Sequence, residues 1–408
     1  MGYRSAEAQK LHNSILEYIH RGMQLTALEE ACANVDENAL LEKSTNGHSH
    51  LIDVFHITSQ THKNSPVLIA ETIDCLFQFL IKKSKELHST KALRHLLLEP
   101  ESEGFTPLHA VLISAQPQNI QAYFAAVQNA RTTNIITATE YKQLLIGANK
   151  AGFTPLHEAL ISAQPQNIQA YFAAVQNART TNIITATEYK QLLIGANAAG
   201  FTPLHQALIS AQPQNMQAYF AEVQNARAAS IITANEYKQL LVGANKTGFT
   251  PLHDVLKSGQ PQSMQAYFVA VQQAYKDNII PKDEYKQLLI SANNAGFTPM
   301  HQAANCGTLA VVQSFVAILQ ECFTPNEMIN ILNATAKGHI PSCQASKPGY
   351  QEINRYLDDL RKQYAGGSKA LLFSFSSSIE VLQDDEDKFG TFKRPYLPRM
   401  NTNNNRIF

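Results

Sequence analysis

The hexapeptide Gly-Phe-Thr-Pro-Leu-His at 104–109 returns at 152–157, 200–205 and 248–253, and once more at 296–301 with Met300 in place of Leu. Each return follows the last by 48 residues, and the sequence between the first four is copied with it. Such a period restricts the chain to a repeat architecture, in which each unit shares its apolar surface with its neighbours.

The unit from Gly104 predicts three helices, each with apolar residues at i, i+3, i+4 and i+7. They are Leu108, Val111, Leu112 and Ala115; Ile120, Tyr123, Phe124 and Val127; and Tyr141, Leu144, Leu145 and Ala148. One stripe per helix predicts one buried face per helix, which an isolated unit would leave wet and stacking would cover. Thr106 is placed to cap the first helix, with Pro107 at its first position, where the missing N–H costs nothing. Pro117 separates the first helix from the second. Thr137 and Glu140 form a capping box for the third, repeated at Thr185/Glu188, Thr233/Glu236 and Thr324/Glu327 and lost at Pro281/Glu284.

Around this array the chain divides into a helical N-terminal cap (1–46), a divergent first repeat (47–103), four 48-residue repeats (104–295), a shorter fifth (296–337), a truncated capping repeat (338–365) and a flexible tail (366–408). In the cap, Ser5 starts a helix to about His20, and shorter helices follow at 26–33 and 36–43. Residues 66–87 read as a longer middle helix of the first repeat. A polar helix over 351–363 suits a solvent-facing end, and the serine-rich, then charged tail is expected to be mostly disordered.

Thirty-three basic and 33 acidic residues give zero net charge, and 16% charged residues is low for a soluble chain. The unit from Gly104 holds nine Asn and Gln but only Arg131, Glu140, Lys142 and Lys150 as charges. Nucleic acid and anionic membrane surfaces, which are held by clustered Lys and Arg, are therefore not expected partners. Cys32, Cys75, Cys306, Cys322 and Cys343 are odd in number and never in a Cys-x-x-Cys pair, which suits a reducing compartment. The start of the chain lacks an apolar signal core, and the most apolar stretch, 67–81, is interrupted by Glu71 and Asp74. A soluble, monomeric cytoplasmic protein is expected.

The Thr-Pro-Leu-His signature, its helix order and the fifth unit, His301-Gln-Ala-Ala-Asn-Cys-Gly-Thr-Leu-Ala-Val-Val-Gln, resemble the ankyrin-repeat proteins over about residues 47–364. The resemblance implies an all-α, ankyrin-like helical solenoid and a protein-protein interaction scaffold. The family period is about 33 residues, so 48 implies an extra helix, assigned to 141–148 and its equivalents. The reduced loop at Gly147-Ala-Asn-Lys-Ala implies that the family's projecting β-hairpin is shortened to a turn or absent. Long, nearly identical units are also similar to the ankyrin effectors that intracellular bacteria secrete into host cells, which would place the chain in the host cytoplasm.

No catalytic, cofactor or metal site is expected. His109, His157, His205, His253 and His301 stand one layer apart, on the order of 10 Å, too far to share a metal with bonds of about 2 Å. Each sits three residues after its capping Thr, where it can bond loop backbone and fix a turn. His48, His50, His56 and His62 are the next metal candidates, without a carboxylate or Cys at ligand spacing. Cys306, Cys322 and Cys343 read as small core residues, and a Cys343–His339 nucleophile pair has no orienting acid.

Units 104–151 and 152–199 differ only at Ala110/Glu158, Val111/Ala159 and Lys150/Ala198. By the resemblance, the residue after the motif His (Ala110, Glu158, Gln206, Asp254, Gln302) and the turn residue (Lys150, Ala198, Lys246, Asn294) lie where a partner protein is met. Drift on exposed sites after duplication is the competing explanation. Phe105, Phe153, Phe201, Phe249 and Phe297 read either as a stripe of binding anchors or as staples against the extra helix. Two other functions stay open: an enzyme with its chemistry in 1–103 or the tail and the repeats selecting substrate, or a spacer without a specific partner.

Overall fold

The computed structural model describes residues 3–366 apart from 22–23, 32, 34, 46–47, 51, 53–78, 80–81, 83–85, 89, 115–116, 163, 211 and 342–347. The expected helix over 66–87 therefore lies mostly outside the described residues, as do Cys32, Cys75, Cys343, His56, His62 and the tail from 367. The described residues form twenty helices and one isolated β-bridge, Ala336 with His339.

At the N-terminus, α1 (Ala6–Arg21), α2 (Leu25–Ala31) and α3 (Glu37–Leu41) precede α4 (Thr90–Leu98). Ser5 Oγ accepts from the Ala8 amide at 3.1 Å and Asp36 from the Ala39 amide at 2.8 Å, which satisfies first-turn N–H groups of α1 and α3.

Each 48-residue unit then supplies three helices. The first unit has α5 (Pro107–Ser114), α6 (Pro117–Thr132) and α7 (Ala138–Ile146); the second α8 (Pro155–Ile161), α9 (Pro165–Thr180) and α10 (Ala186–Ile194). The third has α11 (Pro203–Ile209), α12 (Pro213–Ala228) and α13 (Ala234–Val242); the fourth α14 (Pro251–Ser258), α15 (Pro261–Lys276) and α16 (Lys282–Ile290). Last come α17 (Pro299–Ala304), α18 (Leu309–Cys322), α19 (Pro325–Asn333) and the terminal α20 (Pro348–Ala365). Proline opens the first and second helices of each full unit, and both atoms of each Thr/Glu capping box are engaged at Thr137, Thr185, Thr233 and Thr324. The second helices end on Asn134, Asn182, Ser230 and Asn278, all left-handed with φ 56–57°.

First helices pack on first helices from α5 through α8, α11 and α14 to α17, and second helices on second helices from α6 through α9, α12 and α15 to α18. The expectation of one buried stripe per helix fails for the first helices. In α8 every residue from Pro155 to Leu160 is buried, because α8 lies between α5 and α11 and also packs against α9. The extra helix binds forward: α7 touches α8 and α9 of the next unit, and α13 touches α14 and α15.

Two kinds of side-chain bond cross the junctions between these helices. Tyr123, Tyr171, Tyr219 and Tyr267 are fully buried and donate their hydroxyls to Leu97, Leu145, Leu193 and Leu241 near the end of the preceding unit's last helix, at 2.6–2.8 Å. Those carbonyls are among the last of a helix, which has no partner of its own for them. On the outside, Arg94, Lys142, Lys190, Lys238 and Lys286 pair with Glu140, Glu188, Glu236, Glu284 and Glu327 of the following unit. The Lys142 ammonium bonded to Glu188 pulls that carboxyl down to about 2. Surface pairs of this kind contribute at most about 1 kcal/mol each, so they choose the register more than they hold it.

Candidate functional site

Between the third helix of one unit and the first helix of the next runs a short turn, and these turns form a row. Asn149 organises the first: its Oδ1 accepts from the Ala151 and Phe153 amides, both at 3.0 Å, and its own N–H donates to the Phe153 carbonyl at 2.9 Å. Asn197, Asn245 and Asn293 repeat the arrangement. The loop where the hairpin was expected to be shortened to a turn or absent is a tight turn, and it touches its neighbour through one backbone hydrogen bond. Lys150, Ala198, Lys246 and Asn294 donate their amides to Glu103, Ala151, Ala199 and Thr247 at 3.0–3.2 Å.

The motif glycine makes this approach possible. Gly152, Gly200 and Gly248 have φ of +82° to +85°, and a Cβ there would stand 2.6–2.8 Å from the amide nitrogen of Ala198, Lys246 or Asn294. Only glycine meets both demands without strain.

The histidines bridge successive units. Nδ1 of His109, His157, His205, His253 and His301 accepts from the amide of its own motif Thr at 3.2–3.3 Å. With Nδ1 accepting, Nε2 carries the proton and faces the carbonyl of the next turn: Phe153, Phe201, Phe249, Phe297 and His339, at 3.1–3.4 Å. Burial pushes His109, His157, His205 and His253 down to about 4, so the rings are neutral at neutral pH. The turn that each His fixes is the neighbour's as well as its own.

The two rows expected to meet a partner separate sharply. Lys150, Ala198, Lys246 and Asn294 are exposed, and the Asn294 side chain also donates to the Lys246 carbonyl at 3.0 Å. The residues after the motif His do not form an open face: Ala110, Glu158 and Asp254 are 5%, 5% and 4% exposed, and Gln206 and Gln302 are half-buried. They point between stacked first helices, which are enclosed on several sides. Phe105, Phe153, Phe201, Phe249 and Phe297 are half-buried, each ring 5.4–5.7 Å from its own motif His. Each ring is tilted or edge-on to that His, at 60–89° between the planes.

Most of the charges that recur in the repeats are already engaged. Arg179 and Arg227 lie over the Tyr189 and Tyr237 rings at 4.1 and 4.2 Å, and the Lys–Glu ladder uses the rest of the repeated set except the turn residue. One polar network escaped the sequence reading. Glu222, where the other full units carry Ala126, Ala174 and Ala270, accepts from Tyr189 Oη at 2.5 Å and Gln176 Nε2 at 2.6 Å across the junction. Its departure from an otherwise copied segment was the available signal.

Among the described residues no group of three His, Cys, Asp or Glu is placed to hold a metal, and no helix is long and apolar enough to cross a membrane. His48 pairs with Glu101 at 2.6 Å, while His50 stacks on Tyr3 and bonds the Ala39 carbonyl at 2.8 Å. Cys306 and Cys322 are half-buried rather than fully enclosed core residues. An open cavity of about 400 Å³ beside Arg131, Asn134 and Thr137 contains no acid–base pair. Compared with protein-family models and with curated proteins, the chain finds no match in either.

Proposed function

We propose that this chain is an ankyrin-like solenoid of about six units that binds another protein without catalysing a reaction. It would act as a monomeric cytoplasmic scaffold, in the host cytoplasm if an intracellular bacterium exports it. The observation that carries the reading is the row of turn tips. Their backbone is fixed by Asn, Gly and one bond to each neighbour, while the exposed side chain changes from Lys150 to Ala198, Lys246 and Asn294. A fixed backbone presenting variable side chains lowers the ordering cost of recognition. The half-buried Phe rings beside the row add apolar area. With so little unpaired charge, recognition would rest on shape and amide hydrogen bonds rather than steering.

The test is capture from cell lysate with the full chain and with a variant carrying Lys150, Ala198, Lys246 and Asn294 all changed to Asp. Loss of a specific captured protein from a variant that keeps its helicity supports the reading. Equal recovery by both proteins removes the turn row from it. The enzyme alternative needs a polar pocket in 1–103, and residues 53–78 of that region lie outside the described residues.

A further inference from the structure

The column after the motif His holds two buried carboxylates with little to compensate a charge. Glu158 on α8 and Asp254 on α14 are 5% and 4% exposed, and no basic side chain bonds either one. Asp254 Oδ2 has no hydrogen-bond partner at all. The other three members of the column are Ala110, Gln206 and Gln302, all uncharged. Gln206 matches a protonated Glu158 in size and polarity, so the same slot in successive units is filled by neutral groups if the acid keeps its proton. An ionised carboxylate in these slots would be desolvated without compensation.

We propose that Glu158 and Asp254 are folded as neutral carboxylic acids and make the cohesion of the array proton-dependent, so that the second and fourth units loosen as the surroundings turn from neutral to mildly alkaline. Burial pushes Glu158 up to about 7 and Asp254 up to about 8. The charged group that acts on Asp254 is Lys257, one turn along α14, which opposes the shift, and the Tyr267 hydroxyl from α15 also senses it. From the helices packed on α8, His109 and His205 turn both ring nitrogens to turn backbone and stay neutral, as do His205 and His301 beside α14. Each acid has a folded pKa above its unfolded value, so its contribution is complete below about pH 4 and is lost as pH rises to the folded value. Between pH 7 and 8 only a minority of the unfolded chain's histidines still carries a proton, and the raised tyrosines have not begun to ionise. The two acids therefore dominate that window, each lowering the folding equilibrium constant by about tenfold per pH unit until it ionises.

The experiment is the urea midpoint of the full chain from pH 6.5 to 8.5, beside Glu158→Gln, Asp254→Asn and the double variant. The expected result is a wild-type midpoint that falls from about pH 7 and flattens above about pH 8, with the double variant level or rising over the same range and the more stable protein at pH 8.5. Parallel profiles for wild type and double variant would overturn the proposal. Should the double variant not fold, proton release on unfolding the wild type at pH 7 decides it, read by calorimetry in buffers of different ionisation enthalpy. The histidines of the unfolded chain take up protons and the two acids release them, so the run is repeated at pH 7.5, where net release supports two neutral acids and net uptake contradicts them. Helix amide exchange at pH 6.5 and 8, corrected for intrinsic rates, locates the effect: protection must fall first in α8 and α14, and uniform change along the array counts against the assignment.

Discussion

The Tyr171 hydroxyl donates to the Leu145 carbonyl over 2.7 Å, joining the second helix of one unit to the end of the preceding unit's third helix out of reach of solvent. Removing the hydroxyl leaves a buried carbonyl without a partner while the ring stays in place. Tyr171→Phe is expected to cost about 1–3 kcal/mol in denaturant unfolding. The same change at Tyr219 should cost a similar amount, and the pair should be close to additive if the junctions are independent.

A change of opposite sign is expected at Ser230. It occupies the left-handed position that Asn134, Asn182 and Asn278 fill in the other units, with φ 56°. Asn and Gly adopt this conformation at lower cost than Ser. Ser230→Asn should raise stability by about 0.5–1 kcal/mol, measured as a higher thermal midpoint.

The motif glycines allow a paired comparison. Gly200→Ala meets both a φ of +85° and the Lys246 amide 2.8 Å from the new Cβ, whereas Gly338→Ala meets a φ of +79° and open space. The first should cost more than the ~1–2 kcal/mol of backbone strain that the second incurs. Equal midpoints for the two variants would mean that the turns do not touch.

Acid should weaken the array through the motif histidines. His109, His157, His205 and His253 are held at about 4 by burial, below the unfolded value of about 6.5, so the unfolded chain binds more protons in between. Stability from this source is complete above pH 6.5 and falls as pH drops towards 4. Four histidines outweigh the two buried acids, whose contribution runs the other way. Between pH 6.5 and 5 the net loss should be on the order of 2–4 kcal/mol, read from urea midpoints.

Those interactions differ in how far the sequence discloses them. The period is legible because the motif is copied, and the proline starts and the Thr137/Glu140 boxes because each is fixed within three or four residues. The Tyr171–Leu145 bond spans 26 residues and the Lys142–Glu188 pair 46, so counting Tyr171 as one more apolar position conceals its hydroxyl. The inward direction of Glu158 and Asp254 was hidden by reading the first helix as one stripe. The unbroken Ala-Val-Leu-Ile run at 110–113 signals a helix enclosed on several sides. The turn row is exposed as its composition suggested, but its backbone bonds depend on neighbours that only stacking supplies.

Each 48-residue unit is a module held by its junctions. Deleting residues 152–199 tests it most directly, since that unit differs from the preceding one at only three positions and its removal rejoins nearly equivalent surfaces. Circular dichroism with urea unfolding should show the helicity per residue of the full chain and a cooperative transition, with at most a modest loss of midpoint. A shortened chain without a cooperative transition, or with most of its helicity gone, would contradict the account.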